Sequence, residues 1–280
     1  MNQLYPFFIC LCVIAESHSF DMRVSGGRGT RRNDLLFIIR IVYMNNKGGY
    51  AISCTGSVIT PLFSLSAAHC KPKDKLKRYI LYFLKDSQPA RLANIVKFFN
   101  HPNYKLNGDN DISVIQHQRI HLPEYGKISS VDVKALFGQH CYITGYGPRK
   151  EKGKPVRYLQ ILDGVIVKCD LQKKYTMYPK ICIMRKCSNM TYGGICGGDS
   201  GGPLIHASGI VGVNSKGFNC RKSTPLAGII APISSYIQWI RQIVKVKRIG
   251  RNNQLRTFNQ TKKLSVEIRL GRLNNNYVTK

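Results

Sequence analysis

The stretch that decides the fold is Cys196-Gly-Gly-Asp-Ser-Gly-Gly-Pro-Leu204. A serine hydroxyl is a poor nucleophile, so a chain that uses one needs a base beside it and N–H donors for the oxyanion. Glycine lets the backbone turn sharply, which allows the amides of Gly198 and Ser200 to converge on one point. Asp199 directly precedes the serine, and a carboxylate buried there requires a cationic partner. The stretch therefore predicts a nucleophile loop centred on Ser200.

Two upstream segments contain the partners that a nucleophilic serine needs. Leu65-Ser-Ala-Ala-His-Cys70 places His69 beside a cysteine, and Asn110-Asp-Ile-Ser-Val-Ile115 places Asp111 at the head of an apolar run. A buried acid needs a partner. Bonded to one imidazole nitrogen, Asp111 would fix the tautomer of His69 and stabilise the imidazolium that forms when the histidine takes the serine proton. Asp109 is the nearby competitor, but Asn-Asp-Ile followed by an apolar run favours Asp111.

Together, Gly-Asp-Ser-Gly-Gly-Pro, Ser-Ala-Ala-His-Cys and Asn-Asp-Ile resemble the motifs of the chymotrypsin/trypsin family of serine proteases. The chain order His69, Asp111, Ser200 fits that family, whereas subtilisin and α/β-hydrolase triads run in other orders. The resemblance covers about Val24 to Ile240. It implies an all-β fold of two antiparallel six-stranded β-barrels with a C-terminal α-helix, and the triad in the cleft between the barrels. It also implies an oxyanion hole at Gly198 and Ser200, and no metal or organic cofactor.

The N-terminus is typical of an exported protein. Leu4 to Ala15 is an apolar run, too short to span a bilayer, at the place where a secretory signal lies. No Lys or Arg precedes it, so the usual positive region is missing. We expect a signal peptide over 1–19, a short pro-segment over 20–23, the protease domain over 24–241 and a tail over 242–280.

The resemblance also implies activation by cleavage after Arg23. The new N-terminus, Val24, would fold into the body and pair its ammonium with Asp199, so that a buried carboxylate gains its partner. Val24-Ser25 departs from the Ile-Val start that is commoner in the family. The alternative for Arg23 to Gly27 is a Gly-rich linker, because GG pairs are common in loops.

The resemblance places a specificity pocket beside Ser200. Gly194 would form its floor, where trypsin-like enzymes carry an Asp, and Gly217 and Gly228 would form its walls. Three glycines imply an open, uncharged pocket that admits a large apolar or aromatic side chain. Ser215 and Gly217 would pair main chain to main chain with an extended substrate. Lys216 stands where the family usually has an aromatic residue, which favours acidic or polar groups in the next subsite.

Ten cysteines behind an export signal predict disulfide bonds. Cys10 and Cys12 would leave with the signal, so eight remain. The resemblance implies three pairs, and we infer a fourth, Cys141–Cys187, because the usual partner position of Cys141 carries His206. Exchanged pairing with Cys182, or two free thiols, remain open for this fourth pair. The three implied pairs are Cys54–Cys70, Cys169–Cys182 and Cys196–Cys220.

The chain is strongly basic, with 43 Lys and Arg against 14 Asp and Glu and a net charge of +29. Residues 241–280 contain eleven Lys or Arg and one acid, Glu267, and their composition favours disorder. A basic tail favours anionic partners such as sulfated glycans, anionic membranes or nucleic acid, although charge also serves solubility alone. Asn189-Met-Thr and Asn259-Gln-Thr are glycosylation sequons.

The sequence therefore predicts a secreted, extracellular serine endopeptidase, made as a zymogen and acting through an acyl-enzyme. We expect a monomer whose partners are protein or peptide substrates and an activating protease. The alternative is a non-catalytic cationic binding protein on a serine-protease scaffold. The charge, Val24-Ser25 and Lys216 favour that alternative, but no triad residue is missing.

Overall fold

The fold is described from a computed structural model of the chain. The structure describes residues 28–30, 35–44, 48–73, 76–85, 88–106, 108–147, 158–169, 179–185, 194–217 and 226–245. No helix within these ranges is long and apolar enough to cross a membrane. The expected signal peptide, the cleavage site after Arg23, the tail beyond residue 245 and both sequons lie outside the described residues.

The described secondary structure consists mainly of short strands rich in β-branched residues, as sheets favour. In chain order the strands are Arg28–Thr30 (β1), Ile38–Met44 (β2), Tyr50–Thr60 (β3), Phe63–Ser66 (β4), Arg78–Tyr82 (β5), Arg91–Asn100 (β6), Ser113–His117 (β7), His140–Gly145 (β8), Leu159–Val167 (β9), Ile181–Arg185 (β10), Pro203–His206 (β11), Gly209–Gly217 (β12) and Leu226–Pro232 (β13).

The first half of the chain closes into a barrel in the order β2-β3-β4-β7-β6-β5, with β2 pairing antiparallel to both β3 and β5. Its interior holds fully buried side chains such as Ile39, Ile80 and Ile115. The strands alternate sides, so one set of side chains fills this interior while the other faces outward or toward the second barrel.

The second half forms a sheet in the order β9-β10-β13-β12-β11-β8, and the antiparallel pairing of β8 with β9 closes it into a second barrel. β1 pairs antiparallel with the first residues of β9, Leu159–Ile161. The predicted architecture of two closed six-stranded antiparallel barrels is therefore confirmed. A separate apolar cluster, which includes Ile143, Ile166 and Ile230, fills the interior of this barrel.

The chain returns to the first barrel through a C-terminal helical segment. A 3₁₀ turn, Ile233–Tyr236, leads into an α-helix over 237–245 (α1). Ser234, in the 3₁₀ turn, accepts a hydrogen bond from the backbone N–H of Val133 at 3.3 Å. Trp239 is half-buried, with its ring 5.1 Å from that of His101.

Candidate active site

The imidazole of His69 and the carboxylate of Asp111 form a hydrogen-bonded pair on the first barrel. His69 lies in the 3₁₀ turn that follows β4, and Asp111 lies just before β7 and is 2% exposed. His69 Nδ1–H donates to Asp111 Oδ2 at 2.7 Å, and the backbone N–H of His69 donates to Oδ1 at 2.9 Å. The hydroxyl of Ser215, from β12 of the second barrel, donates to the same Oδ2. Because Nδ1 carries the proton, Nε2 of the exposed imidazole is left as a proton acceptor.

Ser200, from the second barrel, lies against the part of the first barrel that holds this pair. Its carbonyl accepts a hydrogen bond from the N–H of Thr55 at 2.8 Å and lies 3.7 Å from Sγ of the disulfide-bonded Cys70. The next residue, Gly201, has φ +81°, and a Cβ there would collide with the side chain of Ser66. Glycine is therefore required for the two barrels to approach. Within the described residues, no hydrogen bond joins the side chains of Ser200 and His69.

The loop before Ser200 presents backbone donors on one side. Gly198 has φ +96°, in the left-handed region that favours glycine. The N–H of Asp199 is engaged, since it donates to the Cys196 carbonyl at 3.1 Å. Among the described residues, no acceptor is bonded to the N–H groups of Gly198 and Ser200. The loop can therefore offer two N–H donors to an external negative charge, which is the arrangement that stabilises an oxyanion.

Asp199 is fully buried beneath this loop. Its Oδ1 accepts from the N–H of Gly147 at 2.7 Å and its Oδ2 accepts from the N–H of Cys196 at 2.9 Å. Burial raises the pKa of Asp199 to about 6, although these two N–H groups act in the opposite direction. Because burial disfavours the charged form, a cation bound beside Asp199 would stabilise its carboxylate. Val24, its expected partner, lies outside the described residues.

Comparison with known proteins decides the family. The model of the family described as Trypsin matches residues 24–240. The chain belongs to the trypsin family. Cationic trypsin-3 of Rattus norvegicus is 28% identical over 254 residues, which cover 86% of this chain and 97% of the relative. Serine protease 1 of Homo sapiens is 26% identical over 258 residues, which cover 87% of this chain and 98% of the relative.

A solved structure supports the same fold. The structure titled neuropsin, a serine protease expressed in the limbic system of mouse brain, has a TM-score of 0.65 to this chain. It is 21% identical in sequence and covers 78% of this chain, which in turn covers 98% of the neuropsin chain. At that identity the likeness concerns the two-barrel fold, which this trypsin-family chain shares.

The glycines expected to form an open pocket lie near one another, and Ile195 contacts two of them. A Cβ on Gly217 would collide with the carbonyl oxygen of Ile195, and a Cβ on Gly228 would collide with the Cδ1 of Ile195. Gly194, the expected floor, lies against the carbonyl of Ala227. Ile195 is 2% exposed and its side chain takes up part of the space that three glycines suggested. Ile195 occupies space beside two of these three glycines, and no charged side chain stands at any of them.

Two further positions were expected to meet the substrate. Ser215 lies at an irregularity between β12 and β13, where the register shifts between Asn214 and Lys216. Its side-chain hydroxyl donates a hydrogen bond to Asp111 Oδ2. Lys216 is exposed on the same edge of β12. The ladder between β12 and β11 ends at Val213, whereas the ladder between β12 and β13 continues to Gly217.

The cysteines agree with the expectations in part. The structure contains Cys54–Cys70 and Cys169–Cys182, and Cys196 is disulfide-bonded. The inferred pair Cys141–Cys187 is wrong, because Cys141 is a free thiol. It is buried inside the second barrel, donates to the carbonyl of Gly164 at 3.5 Å, and burial raises its pKa to about 12. Cys187 and Cys220 lie outside the described residues.

One cluster of potential metal ligands occurs in the described part of the chain. It comprises Cys54, His69 and Cys70. The two sulfur atoms are joined in a disulfide, so neither is available as the thiolate that metals bind.

The sequence motifs did not indicate Thr55 or Ile195. Each directly follows a residue that had been singled out, Cys54 and Gly194, and only their contacts reveal what they do.

Proposed function

We propose that this trypsin-family protein is a secreted serine endopeptidase. The observation that carries the proposal is the His69–Asp111 pair on the edge of the first barrel that receives the Ser200 loop. Ser200 Oγ attacks the scissile carbonyl while His69 Nε2 takes its proton and later returns it to the leaving amine. Asp111 holds the imidazole in the Nδ1–H tautomer and stabilises the imidazolium. The N–H groups of Gly198 and Ser200 bind the oxyanion, and water then hydrolyses the acyl-enzyme.

The proposal includes activation by cleavage after Arg23. The ammonium of Val24 is the cation that the buried carboxylate of Asp199 lacks within the described residues. Asp199 also accepts hydrogen bonds from the N–H groups of Gly147 and Cys196. An ammonium bound to Asp199 would therefore act on two segments at once, the one that ends at Gly147 and the start of the nucleophile loop at Cys196. The apolar run near the N-terminus and the disulfide bonds support export to an oxidising compartment.

The residue before the scissile bond is apolar in this proposal. No charged side chain stands at Gly194, Gly217 or Gly228, and Ile195 adds an apolar wall. The three glycines favour a large side chain, whereas the contacts of Ile195 leave less width. Peptides that differ only in carrying Phe, Leu, Val or Ala at this position separate these two possibilities, because each methylene that finds room contributes about 1–3 kcal/mol of discrimination.

The decisive experiment compares the chain cleaved after Arg23 with its Ser200→Ala variant. We expect peptide hydrolysis to fall by about a millionfold in the variant, as for other units in which the nucleophile acts with its base. A fluorophosphonate probe should label the wild type and not the variant. Ser208→Ala is the matched control, because its hydroxyl lies 2.9 Å from a histidine nitrogen, His206 Nδ1, outside the proposed triad. Hydrolysis that survives Ser200→Ala contradicts the proposal.

The second candidate is a cationic binding protein, favoured by the net charge of +29. We propose anionic glycans or membranes as partners of the basic tail in either case. A chain ending at residue 245 should bind a sulfated polysaccharide column more weakly than the full chain, and salt should reduce the difference by screening. If the wild type neither hydrolyses peptides nor reacts with the probe, while the column still retains it, the binding function replaces the enzymatic one.

A further inference from the structure

Thr55, the residue after Cys54 in β3, contacts the nucleophile loop at two points. Its hydroxyl donates to the carbonyl of Gly198 at 2.7 Å, and its backbone N–H donates to the carbonyl of Ser200 at 2.8 Å. These are the two residues whose N–H groups form the proposed oxyanion hole. Thr55 is 0% exposed, so neither bond is exchanged with water. A residue of the first barrel thus makes two hydrogen bonds to the nucleophile loop of the second barrel.

The same hydroxyl also accepts a hydrogen bond. The backbone N–H of Tyr146 donates to Thr55 Oγ1 at 3.2 Å, and the next residue, Gly147, donates its own N–H to Asp199. One side-chain oxygen therefore joins the nucleophile loop to the segment that binds the buried carboxylate. The Thr55 carbonyl is engaged as well, by the Ser66 hydroxyl at 2.9 Å. Each polar group of Thr55 has a partner, which fixes its rotamer and the direction of its donor.

We propose that the Thr55 hydroxyl is a positioning group for the oxyanion hole; the inference rests on the proposed function. The peptide unit between Gly198 and Asp199 is held at both ends, its carbonyl by Thr55 and its N–H by the Cys196 carbonyl. Gly198 has φ +96° and no side chain, so its own torsions resist rotation little. Without the hydroxyl, the buried Gly198 carbonyl loses its partner and the loop turns to find another.

A positioning role has a kinetic signature that a purely structural role lacks. The oxyanion exists in the transition state and not in the bound substrate, so misdirected donors lower kcat and leave KM unchanged. Removing an oxyanion donor outright costs about 100–1,000-fold in kcat. Thr55 acts through another residue, and we expect a loss of roughly tenfold or more in kcat, with a parallel loss of affinity for a peptide boronic acid.

The test uses Thr55→Val, which keeps the shape and removes the hydroxyl, and Thr55→Ser, which keeps the hydroxyl. Thr144→Val is the matched control, because Thr144 is equally buried and its hydroxyl donates to the Pro203 carbonyl at 3.2 Å. We expect Thr55→Val alone to lower kcat and boronate affinity, and Thr55→Ser to restore both. If the valine chain does not fold, Thr55→Ala replaces it, with the same expected change in kcat.

The outcomes separate this inference from the proposed function. A wild type that hydrolyses peptides, with Thr55→Val losing no more kcat than Thr144→Val, overturns the role of Thr55 and leaves the protease assignment intact. A change confined to KM overturns it as well. A wild type that neither hydrolyses peptides nor reacts with a fluorophosphonate overturns both.

Discussion

At the scale of single residues, Ile195 contacts two of the glycines that were expected to form the walls of the pocket. Its Cδ1 and its carbonyl oxygen face Gly228 and Gly217. We expect Ile195→Ala to raise kcat/KM for a peptide with Phe before the scissile bond, relative to one with Ala, by about tenfold or more. The variant should also lose about 2–5 kcal/mol of unfolding free energy, because it removes a buried side chain. Equal effects on both peptides would show that Ile195 does not limit the pocket.

His117 illustrates a histidine whose role is structural. It is buried at the end of β7, its Nδ1–H donates to the carbonyl of Gln118 at 2.7 Å, and its Nε2 contacts the hydroxyl of Ser64 at 2.9 Å. Burial lowers the pKa of His117 below 6.5. The unfolded chain therefore binds the proton more readily, and the stability contributed by the neutral histidine is complete above pH 6.5 and lost as the pH falls.

Replacement of His117 checks this assignment. We expect the contribution of His117 to the unfolding free energy to fall as the pH drops from 7 to 5, so that His117→Gln loses less stability, or gains more, than the wild type over that range. Denaturant titrations at several pH values measure it. His121→Gln, which changes an exposed histidine, should keep the wild-type slope. A slope unchanged in His117→Gln would mean that protonation of another group causes the loss of stability.

What the sequence could predict at this scale depended on local motifs. His69, Asp111 and Ser200 stand within short motifs, and the structure brings their segments together. Ile195, Thr55 and the free thiol of Cys141 could not be predicted in the same way, because each depends on contacts between residues distant in the chain. Thr55 lies 143 positions from the carbonyl that it holds. No pattern within β3 indicates that partner.

At the scale of elements, the 3₁₀ turn Ile233–Tyr236 and α1 pack against the segment between β6 and β7, which carries Asp111. The ring of His101 lies 5.2 Å from that of Tyr236 and 5.1 Å from that of Trp239, in both cases edge to face. The Tyr236 hydroxyl also reaches Asn110 at 3.5 Å, one residue before Asp111. These contacts seat α1 on the first barrel and brace the loop that carries the carboxylate.

A double-mutant cycle measures this contact. We expect His101→Ala and Trp239→Ala each to lower the unfolding free energy, and the pair to show a coupling of about 0.5–1.5 kcal/mol, typical of edge-to-face aromatic pairs. Trp239 is the single tryptophan of the chain, so its replacement requires circular dichroism rather than fluorescence as the readout. Simple additivity of the two losses would mean that α1 is seated by other contacts.

At the scale of the whole molecule, the two barrels make a site that neither contains. In the proposed mechanism, the first barrel supplies a base and its carboxylate, and the second supplies the serine, the N–H donors and the Ser215 hydroxyl. The resemblance of three short motifs was enough to predict this architecture, because the trypsin-family fold fixes their relative positions. The resemblance did not indicate the contacts of Ile195, since glycine content says nothing about a neighbouring side chain.

The buried carboxylate of Asp199 gives the whole chain a dependence on pH that activation should change. Its pKa is raised from 3.8 to about 6, so the folded chain binds the proton more tightly than the unfolded chain. The stability of the uncleaved chain therefore falls as the pH rises from about 4 to 6, by about 3 kcal/mol from this group. Asp199→Asn should remove this slope from the uncleaved chain, which denaturant titrations between pH 4 and 7 would measure.

Cleavage after Arg23 should remove the same slope without any substitution, because the ammonium of Val24 stabilises the charged carboxylate and lowers its pKa. The uncleaved and cleaved wild-type chains then differ more in unfolding free energy at pH 7 than at pH 4. In Asp199→Asn that difference should not depend on pH, and peptide hydrolysis should be lost. If the cleaved and uncleaved wild-type chains keep parallel pH profiles, the ammonium does not reach Asp199 and activation has another basis.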